Sequence, residues 1–292
     1  APIVWNDLIR GEQRFDPKLL SDPVVRREDG SWLYLLPSVI DDVRRLVELR
    51  PQKPVVVIDG EDHPYVRGIA SHADVYFKRE TLQRSLRLRA RMPARRLYHR
   101  RRYPDRWGDP LRREIAVAGA RSRKVLPLPF GIIDTGFRPG AKKDVDVTFL
   151  ANPTSPERVG VVDALKRLRR DGAVVRTATG SPLAWSDYID LLSRSRIGIS
   201  VRGLGYDTYR YWEIPYAGAL LLAETPGTVI PDNFVAGREA VFAPVERLAE
   251  RARELLGGDT EAIARAGRTK LLERHTSVRR ARRVLERLEA LA

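Results

Sequence analysis

The chain has no cysteine, one methionine and four histidines in 292 residues. Without a thiol there is no disulfide, no thiolate nucleophile, no zinc ribbon and no iron–sulfur ligation. That fits a reducing compartment, and a cytoplasmic location is expected. Long apolar runs are also missing. The most apolar stretch, residues 217–223, falls far short of the ~20 residues that span a bilayer. The first residues printed, from Ala1 to Asn6, lack the basic-then-apolar pattern of a secretory leader. A soluble or membrane-peripheral protein is expected. No G-x-G-x-x-G follows a strand and opens a helix, which argues against a dinucleotide oxidoreductase.

Positive charge is abundant. Lys and Arg number 53 against 38 Asp and Glu, a formal charge of +15 and a pI near 10.4. Such a balance favours polyanionic partners. Residues 84–124 hold fifteen basic side chains against three acids, with Tyr98, Tyr103 and Trp107 between them. Arg95, Arg96, Arg100, Arg101 and Arg102 are its densest part. This belt suits phosphates and stacked bases, as in DNA, or an anionic membrane lipid. It reads equally as the solvated face of a helix. Apolar residues make up 43%, enough for a sizeable core, and the length suits two domains of ~100–200 residues each.

Strand-like and helix-like runs alternate. Ser38 with Asp41 reads as a capping box before apolar positions 39, 40, 43, 46 and 47, which share one helical face. Pro51 and Pro54 stop that helix. Residues 55–58 are a β-branched run typical of a strand buried on both faces. Strands follow at 73–77 and 124–131. Residues 135–144 hold glycine, proline and basic residues, which is linker chemistry. The pattern then restarts, with strands at 145–150, 173–177, 197–201 and 219–223. Helices are predicted at 156–170, 185–193, 209–217, 245–256, 260–273 and 277–291. This predicts an α/β fold of two Rossmann-like domains, 1–134 and 145–276, joined by the linker, with a closing helix at 277–292.

Paired sheets of this kind bind ligands at the carboxyl ends of their strands. In the first domain that position holds Asp59, Glu61, Asp62 and His63. A histidine with a nearby carboxylate makes a general base, so His63, Asp62 and Asp59 are the candidate catalytic residues. His72 is a second candidate. The same cluster also reads as a solvated acidic turn. One histidine and three carboxylates within five residues lack a recognised metal spacing, and no metal is expected.

The most informative segment is 197–223. A strand leads into a Gly-rich loop, then a helix carrying Arg210 and Glu213, then Gly218 and another strand. Arg210 and Glu213 are three apart and share a helical face. They read either as a surface ion pair or as groups for a ribose and a diphosphate. The segment resembles the nucleotide-sugar signature of GT-B glycosyltransferases, closest to the spore-maturation-type branch of the group-1-like enzymes. Residues 146–150 with Ser155-Pro156-Glu157-Arg158, residues 129–132, and Glu273-Arg274-His275-Thr276 resemble further parts of that family, over about 125–292.

The resemblance implies two domains facing across a cleft, with the C-terminal helix closing back toward the N-terminal domain. It implies transfer of a sugar from a nucleotide-diphosphate sugar, UDP-sugar above others, to a hydroxyl acceptor. No separate cofactor and no metal are implied. Glu213 would hold the ribose. Arg210 and Arg158 would lie near the diphosphate. Gly203 and Gly205 would let backbone amides approach phosphate, and Arg202 and Asp207 of the same loop are further nucleotide-sugar-binding candidates. Gly180 and Ser181 would border the base pocket. Retaining members carry a second glutamate eight positions before the first, and here that position is Gly205, so stereochemistry is unassigned. The acceptor expected is anionic: modified DNA, a phosphate-bearing lipid or a polymer, met by Arg95, Arg96, Arg100, Arg101, Arg102 and Trp107. A non-catalytic nucleic-acid-binding protein on a degenerate GT-B scaffold is the alternative. His275-Thr276 reads as a chain junction or as a ligand contact.

Overall fold

The computed structural model describes residues 3–5, 24–26, 32–35, 56–60, 62–83, 114–117, 125–140, 142–152, 155–177, 183–203 and 205–290. It divides into two units. The first comprises Ala1–Pro129, Gly227–Pro231 and Arg283–Ala292; the second comprises Phe130–Pro226 and Asp232–Arg282. The helix predicted after Ser38, with Asp41 in its first turn, lies outside the described residues.

In the first unit, β1 (Ile3–Trp5), β2 (Val24–Arg26), β3 (Trp32–Leu35), β4 (Val56–Asp59), β6 (Val75–Lys78) and β8 (Val125–Pro127) form one sheet in the order β2-β3-β1-β4-β6-β8. Its pairs are parallel except β2 with β3. A separate antiparallel pair joins β5 (Tyr65–Arg67) to β7 (Glu114–Val117). The β-branched run becomes β4, and every residue of it is buried, as in a strand covered on both faces. Val56, Ile58, Val75, Phe77 and Leu128 form its core with Val284.

The second unit is a five-stranded parallel sheet in the order β10-β9-β11-β12-β13. The strands are β9 (Val145–Phe149), β10 (Val175–Thr177), β11 (Ser195–Ser200), β12 (Leu220–Glu224) and β13 (Val241–Ala243). Six helices are described: α1 (Pro156–Arg170), α2 (Trp185–Ser193), α3 (Tyr209–Tyr216), α4 (Leu248–Leu256), α5 (Thr260–Arg274) and α6 (Ser277–Glu289). Strand β13 escapes the sequence pattern because three residues show no period. Taken in chain order, the parallel strands of both sheets run 2-1-3-4-5. In such sheets ligands bind where the order reverses, outside the carboxyl ends of the first and third strands. That point lies after β1 and β4 in the first unit, and after β9 and β11 in the second.

Local chemistry sets the helices that flank this second point. Ser155 caps α1 by accepting from Arg158 N at 3.3 Å, Pro156 opens the helix, and Arg167, Arg169 and Arg170 face its negative end. Helix α3 is short and stops at Gly218, which has φ +77° and no room for a Cβ against Pro139. It lies close to β11 because Gly198 has no side chain: a Cβ there would stand 2.6 Å from Ile214.

The segment read as a linker is laid on the second unit. Tyr216 Oη accepts from the amides of Thr135 and Phe137, and Lys143 donates to the carbonyls of Ser193, Ser195 and Gly218. The second unit begins at Phe130, where the chain is anchored. Phe130 N donates to Asp207 Oδ2 at 2.6 Å, and Ile132 bridges Thr276. Asp207 Oδ1 accepts from Trp212 Nε1 at 2.8 Å. Asp207 is buried, and its carboxylate serves this anchor.

His275 completes the anchor and is a junction, with no exposed surface. An arginine can only donate, so the 2.8 Å contact from Arg280 Nη2 makes His275 Nδ1 an acceptor. Nε2–H then donates to Asp232 O at 3.0 Å. Burial, then the charge of Arg280, holds this imidazole down to about 3.

Two outcomes follow from this packing. Gly198→Ala is expected to destabilise the fold by about 1–3 kcal/mol through overpacking against Ile214, and Ile214→Val to recover part of it, by chemical denaturation. For His275 the folded pKa lies below the unfolded value. The unfolded chain therefore binds one more proton between about 6.5 and the folded value, and stability falls as pH drops through that window. His275→Gln keeps an acceptor and a donor but cannot titrate. It should flatten the pH dependence of unfolding by up to about 1.4 kcal/mol per pH unit below pH 6.5, and an unchanged slope would refute the neutral buried role.

Candidate functional site

The carboxyl ends of β9 and β11 are joined by Arg158, from the first turn of α1. Its Nε donates to Arg202 O at 3.0 Å, Nη1 to Asn152 O at 3.3 Å and Nη2 to Val201 O at 3.4 Å. The predicted diphosphate ligand is therefore first a brace between two loops. Gly203 permits it: a Cβ there would stand 3.0 Å from Arg158 Nη2, and Gly203 N closes a tight turn on Gly205 O at 2.9 Å. Burial and the charge of Arg210 both work against the Arg158 guanidinium, lowering its proton affinity, which places two like charges close together. Cations grouped at a strand end attract anions.

Arg202 is committed differently. Its guanidinium lies between Glu157 and Glu224, at 2.6 Å from each, and its own amide donates to Glu224 Oε2. It also lies over the Tyr206 ring, 5.4 Å from the centroid. Glu157 and Glu224, which the sequence reading passed over, thus hold the loop that follows β11. Burial pushes the Glu224 carboxyl up, against the opposing charge of Arg202.

Arg210 and Glu213 do share one face of α3, but they do not form a hydrogen-bonded pair in the structure. Arg210 Nη1 donates to Leu150 O at 3.1 Å, and its buried Nε makes no hydrogen bond among the described residues. Glu213 Oε2 accepts from Tyr188 Oη at 2.6 Å, from helix α2. Burial pushes the Glu213 carboxyl up, while Tyr188 and then Arg210 work in the other direction. No sequence period links position 188 to 213; only the packing of α2 beside α3 does. The site therefore offers a partly buried carboxylate, a guanidinium with a spare donor and a second guanidinium behind it. Gly180 and Ser181, the expected border of a base pocket, lie outside the described residues. So do Arg95, Arg96, Arg100, Arg101, Arg102 and Trp107.

In the first unit the three candidate catalytic groups take different partners. Asp59 pairs with Lys78 at 2.7 Å and accepts from Tyr76 Oη, both buried. Burial alone would raise its carboxyl, but Lys78, Arg67 and His63 outweigh that and hold it below the usual range. A carboxylate so placed serves the ion pair at this strand end. Asp62 is exposed and pairs with Arg79. His63 Nδ1 accepts from Tyr65 N at 3.3 Å, and its ring rests against Tyr65. That contact helps orient the imidazole within its own turn. Among the described residues no group of three or more His, Asp or Glu is placed to hold a metal ion. No described helix is long and apolar enough to cross a membrane.

Residues 158–286 match the family model described as glycosyl transferase-like. A glycosyltransferase from Rickettsia africae is similar at 12% identity and a TM-score of 0.53, over 99% of this chain and 97% of that one. HepE of Anabaena, solved with UDP and glucose, gives 11% and 0.55 over 88% and 77%. A variant of S. aureus TarM, solved with UDP, gives 9% and 0.56 over 93% and 57%. A different likeness covers a short stretch. Glutamate–tRNA ligase 1 of Zymomonas mobilis is 67% identical over 61 residues, 21% of this chain and 12% of the ligase. Glutamate–tRNA ligase 2 of Sphingopyxis alaskensis is 60% identical over 63 residues, 13% of its length. The chain thus spans about an eighth of these curated relatives, less than an ordinary domain of ~100–150 residues. The architecture is that of the GT-B glycosyltransferases, and the match to the glycosyl transferase-like family lies on the unit that carries Arg158, Arg210 and Glu213.

Proposed function

We propose that this chain moves a sugar from a nucleoside diphosphate sugar to a hydroxyl acceptor, with the donor on the second unit. One observation carries the reading. Near the point where the second sheet reverses its strand order, a carboxylate and two guanidinium groups are carried by two helices, α1 and α3. Glu213 accepts the two ribose hydroxyls. Arg210 donates to the diphosphate, with Arg158 adding positive charge behind it. The bond from the anomeric carbon to the diphosphate oxygen breaks, the acceptor oxygen bonds to that carbon, and its proton passes to a base. His63 is the base this reading selects, since Asp59 is committed to Lys78. The cations at the site stabilise the departing diphosphate electrostatically, and no metal is assigned to that task. UDP is the first nucleotide to test, supported by its presence in HepE and TarM.

The acceptor is the finer part of the proposal. The formal charge of +15 and the belt at 84–124 support an anionic one, DNA or a phosphate-bearing lipid at a membrane surface.

UDP is expected to raise the melting temperature, since a ligand that binds only the folded state stabilises it. Arg210→Ala should weaken UDP binding by about tenfold or more in calorimetry, as loss of a charge-assisted hydrogen bond does. Glu213→Ala should weaken uridine binding as well, because uridine keeps the ribose and lacks the phosphates, whereas Arg210→Ala should leave uridine nearly unaffected. Equal effects of both variants on both ligands would remove the assignment. Slow release of UDP from UDP-sugars should survive EDTA; its loss on chelation would put a metal where the guanidinium groups are placed here.

A further inference from the structure

The aromatic hydroxyl beside Glu213 is absent from every expectation drawn from the sequence, and it touches the group on which donor binding depends. We propose that Tyr188 is a positioning residue: from helix α2 it fixes the orientation of the Glu213 carboxylate, leaves Oε1 for the ribose, and sets the acid limit of nucleoside binding. The inference rests on the donor-site reading above.

The geometry supports it from both sides. Tyr188 Oη lies 2.6 Å from Glu213 Oε2, within the range of a hydrogen bond to an ionised acceptor. An ionised carboxylate only accepts, so the phenol is the donor. Burial pushes the Tyr188 hydroxyl well up, so it stays protonated and keeps donating. Helix α2 is fixed by Ile189 and Leu192, which are buried, and the exposed Trp185 rests its ring against Tyr188 at 5.7 Å between centroids. The phenol is therefore held at its ring as well as at its oxygen. Glutamate is a flexible side chain, and a carboxylate pinned by one oxygen loses less freedom when a diol arrives at the other.

Among the described residues, Tyr188 faces Glu213 from α2 and Arg210 from its own helix, with Arg158 of α1 acting on Arg210. On α2 Asp190 pairs with Arg194, and Asp187 lies in the first turn. Of the charged groups on the other elements packed against α3, Arg196 of β11 goes to Leu256 O, Glu224 of β12 to Arg202, and Arg268 of α5 to Tyr216 O and Phe137 O; on α5 Arg265 pairs with Glu261 and Lys270 with Glu239. Removing the phenol hydroxyl leaves burial opposed by Arg210, and Glu213 then takes up a proton at higher pH. A protonated Glu213 loses its charge-assisted hold on the ribose hydroxyls.

The test is calorimetric binding of UDP from about pH 5 to about pH 8.5 to the full chain and to Tyr188→Phe, which keeps the ring against Trp185. At the alkaline end the variant should bind within about threefold of the parent. At the acidic end it should be weaker by about a further tenfold, its acid limb moved up by about one pH unit. Protonation of the diphosphate is common to both proteins and cancels. In a Glu213→Gln background the same substitution should produce no shift, because there is no proton to take up. A loss uniform across pH, or a shift that persists with Gln at 213, would overturn the positioning role while leaving the donor site intact. Absence of UDP binding by the parent at every pH would overturn the donor site and this inference together.

Discussion

Helix α3 is eight residues long, too short to be stable by its own hydrogen bonds. Its existence depends on being pressed against the sheet. Tyr211, Trp212, Ile214, Pro215 and Tyr216 are buried, and Gly198 in β11 yields the space that Ile214 occupies. Trp212 brings a polar group into this packing, and Asp207 satisfies it. The same Asp207 binds the amide of Phe130, and Arg280 reaches the carbonyl of Phe130 while donating to His275. One face of α3 is therefore locked by a buried network. The other face is left to present Arg210 and Glu213, and their placement inherits the rigidity of the core.

Three arginines at the strand ends differ in what remains for a ligand. Arg202 is neutralised by two carboxylates. Arg158 gives its guanidinium to three carbonyls, which removes no charge but fixes where that charge sits. Arg210 keeps a buried Nε that makes no hydrogen bond among the described residues. Carbonyl ligation makes Arg158 a source of field rather than a flexible hand, and the field acts on Arg210. In the proposed reaction a preorganised positive potential of this kind would stabilise the departing diphosphate, since it costs no reorganisation when the charge develops.

Much of the second unit was legible because its signals are local. Ser155, Pro156 and the basic last turn of α1 mark both ends of that helix, and residues 185–193 fall on the helix as expected. The R-x-x-E spacing put Arg210 and Glu213 on one face correctly. What stayed hidden is pairing across distance. Asp207 was read as a nucleotide-sugar-binding loop acid, yet its partners Phe130 and Trp212 are set by tertiary packing. Glu224 closes a strand and so looked like a strand terminus, while its partner lies in the loop after β11. Tyr188 carries no pattern at all in its own segment. In each case the chemistry of the residue was visible and its partner was not.

The first unit shows the same limit from the other side. Asp59, Asp62 and His63 are near neighbours in sequence, and proximity along the chain suggested one acid–base group. A strand end gives such neighbours different partners. Asp59 is the last residue of β4, and its register places it opposite Lys78 of β6, so the sheet itself pairs the two. Asp62 lies beyond the strand and turns outward to Arg79. His63 Nδ1 accepts from the amide of Tyr65. Proximity along the chain therefore does not by itself make an acid–base group: what a strand-end residue can do depends on the partner that the pairing of β4 with β6 brings to it, and for the buried carboxylate that partner is Lys78.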